Sequence, residues 1–347
     1  MKRWRVGMVG YGWAAGAHLG ALELIDRFEV AAACTSREDT DAATLERAHG
    51  HPIEIVRDFD ELIARPDIDV IDLCSRSNLH ASQAIAAARA GKHLIIEKPV
   101  SLDLAGLRAV QAAVAEAGVR TCVCLQVRFS QQFTMTKSII DRGELLGPIH
   151  YGEADYYHHI GPEVGQYEWN LRADGGGSSL LTAGCHALDG LLMFMGTDVT
   201  EVTSYATGSP HPNFSRYEYP TTSVTLLRFA GGAIGKCASV VDSHQPYHLR
   251  MYLVGRDGTI HDGDVFTDTI AGLDPDRWTR LGVKLESDIT AIDGPYVAQF
   301  HEFLDALDDD REMRLTSLAD AAKTFEVVFA ADRSAADGRT VQLSELA

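Results

Sequence analysis

A lysine that ends a β-strand between a carboxylate and a proline is well placed to do chemistry, and Glu97-Lys98-Pro99 follows the apolar run His93–Ile96 in that way. Open α/β sheets hold their ligands at the carboxyl ends of the strands, where a lysine can position a substrate hydroxyl and relay its proton while a hydride leaves the same carbon. Pro99 fixes the exit of the strand and restricts Lys98 to an extended backbone. A lysine drawn at random is a solvated surface residue; the strand-end position favours the functional reading. Ser75-Arg76-Ser77-Asn78-Leu79-His80 closes the run Val70–Leu73 at the same edge. Ser75, Asn78 and His80 therefore join Glu97 and Lys98 as candidate cofactor contacts.

Hydride chemistry needs a carrier, and the N-terminus offers a place for one. Gly10, Gly12 and Ala15 follow the first strand in a GxGxxA pattern, with Trp13 and Ala14 at the mouth of the first helix. Gly10 permits the tight turn, Gly12 lets the backbone approach a pyrophosphate, and Ala15 keeps helix and strand close. The helix N-terminus adds free N–H groups and a positive dipole end. The flanking strand, helix and further βαβ units raise this above an ordinary glycine turn. The second strand ends in Thr35-Ser36-Arg37, where an NAD site usually places a carboxylate. Hydroxyls and a guanidinium at Ser36 and Arg37 suit a 2′-phosphate, which favours NADP. NAD stays open if Arg37 merely begins a helix in solvent.

Tyr156-Tyr157-His158-His159, Trp169 and Arg172 form a segment rich in groups that bind sugars. Adjacent strand residues point to opposite faces, so Tyr156 and His158 share one face and His159 takes the other. The alternative is a strand packed at a subunit interface.

The elements that must position these residues fall into two textures. Up to Leu125, strand-length runs (Arg5–Val9, Val30–Cys34, Val70–Leu73, His93–Ile96, Thr121–Leu125) alternate with helical stretches such as Ser82–Ala90 and Asp103–Ala117. That order predicts an α/β Rossmann domain with a doubly wound parallel sheet over residues 1–125. From Ile149 the runs lengthen and alternate (Val199–Thr207, Thr222–Phe229, Gly232–Val241, Arg250–Gly255), with turn signals between them. Residues 126–347 are predicted as an α+β domain with a large, mainly antiparallel open sheet. A helix runs from the Gly175-Gly176-Gly177 turn to Met195, and two more, Val297–Leu307 and Leu318–Ser334, close the chain. The closing helix is expected to pack back on the first domain.

With 347 residues, 46% hydrophobic and 23% charged, the chain is long enough for two cores. A formal charge of −18 argues against nucleic acid or an anionic membrane as partner. The six cysteines include no CxxC pair, so neither a metal nor a disulfide is expected. No signal peptide and no membrane-length apolar run are read, which predicts a cytoplasmic protein.

GxGxxA, SNLH, AGKHLIIEKPVS, GGGSSLLTAGCHALD and the closing SLADAAKTFEVVFAADRSAADGRTVQL together resemble the Gfo/Idh/MocA family in order and spacing over essentially the whole chain. The resemblance implies that Lys98 is the catalytic lysine and that His186, on a helix of the larger domain, is a second catalytic residue facing the nicotinamide. It implies a sugar-like substrate, reached from Arg128 unless that arginine forms an interdomain salt bridge. The open sheet face of the larger domain is expected to make a homodimer or homotetramer. One position departs from the pattern: the family's aspartate four residues before the histidine is Thr182 here. At i,i+4 from His186 it can hydrogen-bond a substrate hydroxyl but cannot act as a carboxylate base. Asp189 either orients His186 or serves as a structural hydrogen-bond partner. A redox-cycling enzyme that cleaves glycosides through a 3-keto intermediate and a non-catalytic nucleotide-sensing regulator are the alternatives.

Overall fold

The computed structural model describes residues 2–38, 40–143, 145–274, 276–285 and 294–346. It divides into two compact units, Met1–Gln126 with Ala291–Ala321, and Val127–Thr290 with Ala322–Ala347. Unit 1 carries β1 (Trp4–Val9), β2 (Phe28–Cys34), β3 (Glu54–Val56), β4 (Val70–Leu73), β5 (His93–Ile96) and β6 (Thr121–Val123). All pair in parallel in the order β3-β2-β1-β4-β5-β6. This is the doubly wound order, which reverses direction beside β1 and opens a ligand crevice there. The strands read as near-continuous apolar runs because helices cover both faces. These helices are α1 (Trp13–Glu23), α2 (Ala42–His49), α3 (Phe59–Ala64), α4 (Ser77–Arg89) and α5 (Leu104–Ala117). Asp41, Asp58 and Asp103 cap α2, α3 and α5 with side-chain acceptors, while the N-terminus of α1 at Gly12 has no side-chain cap.

Unit 2 opens with α6 (Gln131–Arg142) and β7 (Ile149–Tyr157), then α7 (Tyr167–Asn170), α8 (Ala173–Gly176), a wide π-helical turn (Leu180–Gly184) and α9 (Cys185–Met195). The strands β8 (Val199–Thr207), β9 (Thr222–Phe229), β10 (Ile234–Val240), β11 (His248–Gly255), β12 (Gly258–His261), β13 (Asp264–Thr267), β14 (Thr279–Arg280) and β15 (Val341–Gln342) complete it. Among the described residues, nine strands form one sheet in the order β14-β13-β12-β11-β7-β10-β9-β8-β15. Pairing is antiparallel except for β10 with β7, which run parallel at the centre. Alternation along β9 and β11 buries one sheet face. The helix α9 lies on that face, and Gly184 permits the approach because a Cβ there would collide with Ser239 of β10. Residues 173–195 are together long and apolar enough to cross a membrane, contrary to the expectation from sequence, but most of them are buried inside unit 2.

Two helices follow. The first, α10 (Pro295–Asp308), belongs to unit 1, where Gln299 Nε2 donates to Val123 O at 2.8 Å. The second, α11 (Leu318–Asp337), begins in unit 1 and continues in unit 2.

Candidate active site

In unit 1 the sheet edge assembles the strand-end residues side by side. Gly10 N donates to Cys34 O at 2.8 Å, Cys74 N to Val9 O at 2.8 Å, and Glu97 N to Leu73 O at 2.9 Å. Gly10 has φ +92°, and a Cβ on it would sit 2.6 Å from Cys74 O, so both conformation and space demand glycine. A Cβ on Gly12 would meet nothing within 4 Å. Gly12 starts α1 with extended backbone, and no side chain caps the N–H groups of the first turn. Ala15 is fully buried, Ala14 half-buried and Trp13 71% exposed. A bare helix N-terminus beneath an open glycine is a cradle that fits a pyrophosphate.

Ser36 and Arg37 are exposed beyond the end of β2. Their loop is strapped by Arg57, which donates to Thr35 O at 2.8 Å, Arg37 O at 2.7 Å and Thr40 O at 2.8 Å. Sequence reasoning missed this arginine because it lies some twenty positions further on with no motif around it. Asn78 is exposed in the first turn of α4, and the Ser75 hydroxyl donates to Gln83 Oε1 at 2.5 Å. His80 is buried between Pro99 O (2.8 Å from Nδ1) and Ser75 O (3.0 Å from Nε2). It thereby clamps the turn after β5 to the turn after β4. Burial holds its pKa below the ordinary histidine value, against the pull of those two carbonyls. Glu97 is buried and Lys98 half-buried, and the Lys98–Pro99 peptide is cis.

In unit 2, His186 occupies the first turn of α9, 6% exposed, with its ring stacked on Tyr156 of β7 at 6.4 Å and 24°. The Tyr156 hydroxyl lies 3.3 Å from His158 Nδ1, just past the strand end. Tyr247, on the loop between β10 and β11, packs 5.3 Å from Tyr156 and 5.4 Å from His158. Tyr156, His158 and His186 therefore share one aromatic wall, with Tyr247 as a member that no sequence pattern marked. His159 turns the other way, its Nδ1 3.1 Å from Ser243 O and its ring against Phe214.

Thr182 sits inside the π-helical turn and donates to Asn170 Oδ1 at 2.9 Å. Asn170 is held in turn by Tyr219, whose hydroxyl donates to Asn170 O at 2.8 Å. Gly176 is required here, since a Cβ would strike both Tyr219 and Asn170. Trp169 is half-buried on α7, one residue before Asn170, and Arg172 is exposed and paired with Asp174. Arg128 is 3% exposed and forms a bidentate pair with Asp189, at 2.6 and 2.5 Å, within unit 2. Thr324 donates a third hydrogen bond to Asp189, at 2.7 Å. Just before the π turn, Ser178 Oγ donates to Asp332 Oδ2 at 2.8 Å. Burial pushes the Asp332 carboxyl up to about 7 despite that bond.

The comparisons with known proteins follow the same division. Residues 4–125 match the oxidoreductase family with an NAD-binding Rossmann fold, and residues 133–261 match the GFO/IDH/MocA C-terminal domain. A myo-inositol 2-dehydrogenase of Thermotoga maritima is 26% identical over 349 residues, covering 99% of both chains. An NADP-dependent scyllo-inositol 2-dehydrogenase of Bacillus subtilis is 22% identical, covering 98% of this chain and 96% of its own. A solved levoglucosan dehydrogenase, in complex with NADH and levoglucosan, superposes with a TM-score of 0.86 at 22% identity, covering 98% of this chain and 99% of its own.

Proposed function

We propose, starting from the fact that the chain belongs to the Gfo/Idh/MocA family of NAD-binding oxidoreductases, that it oxidises a carbinol carbon of a sugar or polyol, or reduces the matching ketone. The observation that carries this reading is the edge of unit 1, where the open glycine turn after β1 and the Glu97-Lys98-Pro99 turn after β5 stand at the same edge of one sheet, with the end of β4 between them. A bound nicotinamide supplies the hydride acceptor or donor. The residues of the chain handle the rest. Lys98 holds the substrate hydroxyl and takes its proton as the carbon is oxidised, and His186 is the second proton-handling group. Thr182, tied to Asn170, offers a hydroxyl where a carboxylate would otherwise stand. Tyr156 and His158 supply an apolar ring face and an imidazole for the sugar, with Trp169 and Arg128 as further substrate contacts; the buried pairing of Arg128 with Asp189 supports a structural share in its role.

NADP is the proposed cofactor and NAD the alternative, supported by exposed Ser36 and Arg37 on a loop fixed by Arg57. A homodimer or homotetramer is proposed through the outer sheet face, where Tyr205, Val224, Leu226 and Ile234 are exposed. A cytoplasmic location accords with six free cysteines, and the acidic charge with a small-molecule partner rather than nucleic acid or membrane. The test is absorbance of the reduced nicotinamide while the protein meets sugars, polyols and aryl glycosides with NAD or NADP. A rise with a sugar or polyol is expected. Glycoside cleavage with no net reduction would replace this reading with the redox-cycling one, and cofactor binding without turnover of any substrate would favour the regulator.

A further inference from the structure

Beneath the glycine turn, unit 1 buries ionisable groups that none of the steps above uses. His18 lies in the second turn of α1 with no solvent exposure. Its Nδ1 is 2.9 Å from Asp72 Oδ1 on β4, and its Nε2 is 3.2 Å from Glu97 Oε1 after β5. The other Glu97 oxygen accepts the backbone N–H of Lys98 at 2.9 Å. Tyr296 of α10 donates its hydroxyl to Glu97 Oε1 at 3.1 Å and lays its ring 4.8 Å from that of His18. Among the described residues, Cys74, with Sγ 3.2 Å from Nδ1, and Cys124 beyond β6 also face the imidazole.

Both ring nitrogens of His18 thus face carboxylates. A neutral imidazole carries only one N–H, so neither tautomer satisfies this geometry, whereas the imidazolium donates on both sides. A neutral ring would also remove a positive charge from beside two buried carboxylates and so raise the cost of keeping both ionised. The balance of forces on the proton points the same way: burial opposes the charge, but Asp72 and Cys74 outweigh it and hold the pKa well above the ordinary value.

We propose that His18 is a positioning residue for Lys98: as an imidazolium bridging Asp72 and Glu97, it fixes the carboxylate that anchors the Lys98 main chain. It thereby ties the helix that opens at Gly12 to the turn that carries the lysine. This rests on Lys98 being the proton-handling residue.

Spectra of the full chain labelled at its histidine nitrogens test the charge directly. His18 is expected to show two protonated ring nitrogens at about pH 8, past the ordinary histidine range; a neutral His18 there overturns the proposal. In turnover, His18→Asn is expected to keep cofactor binding and substrate KM while kcat falls roughly tenfold to a hundredfold. The acidic limb of its kcat profile should move to higher pH, because losing a positive charge from beside a buried carboxylate makes that carboxylate harder to ionise. Tyr296→Phe keeps the ring and removes one donor to Glu97, so it should move that limb in the same direction by less. It carries the kinetic test if His18→Asn does not fold. Unchanged kcat and pH profile in the folded variants overturns the proposal. Inactivity of the parent protein on every substrate would count against the reading of Lys98 instead, and leave the spectral result to decide the charge of His18.

Discussion

Replacing Arg128 by methionine removes the guanidinium from Asp189 while keeping most of the side-chain volume. Arg128 and Asp189 are 3% and 1% exposed, and their pairing is bidentate. The carboxylate would retain only the Thr324 hydroxyl among its described partners. An uncompensated buried charge of this kind costs about 3–5 kcal/mol. Asp189→Leu should also destabilise the protein, because it removes the bidentate acceptor of a buried guanidinium. The double variant Arg128→Met/Asp189→Leu should recover to within about 2 kcal/mol of the parent, since two apolar groups replace the pair. Urea unfolding followed by circular dichroism on all four proteins gives the coupling. An Arg128→Met protein within about 1 kcal/mol of the parent would refute the reasoning, because it would mean that the carboxylate does not depend on its partner. The double variant also separates roles: restored stability with a raised substrate KM would show that Arg128 reaches the substrate as well.

Gly10→Ala and Gly12→Ala should differ in kind. The first forces a Cβ to 2.6 Å from Cys74 O at φ +92° and should lower the melting temperature; the second meets nothing within 4 Å and should spare stability while weakening titration by reduced nicotinamide. Arg37→Glu should shift the ratio of kcat/KM from NADP toward NAD by roughly tenfold or more, as a charge-assisted phosphate contact becomes a repulsion; an unchanged ratio would assign Arg37 to solvent. The Asp332 carboxyl, raised from 3.8 to about 7, carries a penalty on its ionised form that is absent below the lower value and complete above the upper one. Asp332→Asn should therefore gain stability relative to the parent as pH rises from about 4 to about 8, and parallel stability curves would contradict this.

What local pattern could carry was legible in the chain. Gly10, Gly12 and Ala15 were readable because a turn, a close approach and a tight helix–strand packing each admit few residue types. Lys98 was readable because Pro99 and the apolar run before it fix a strand end. The strand β3 escaped because only Val56 of its three residues is buried, leaving no alternation to see. The short β12, β13 and β14 escaped for similar reasons of length. The parallel pairing of β10 with β7 joins segments about eighty residues apart, whereas turn signals report only consecutive, antiparallel neighbours. Distance in sequence also hid Arg57, Tyr247 and Tyr296, each of which acts through a contact that no spacing encodes. No sequence pattern marks His18, and only the burial of Asp72 and Glu97 around it points to the charge proposed for it.

The wide turn at Leu180–Gly184 holds one more residue than an α-turn would, and His186 begins the second step of the regular helix beyond it. Each residue in an α-helix advances the azimuth by about 100°. Tightening this turn to α-helical hydrogen bonding with its residue count unchanged would swing every side chain of α9 around the axis by that amount, carrying His186 away from Tyr156 and Asp189 away from Arg128 together. The direction in which this helix aims its functional groups is thus set by how many residues one turn holds, and deleting a single residue as that turn tightens would leave the direction unchanged.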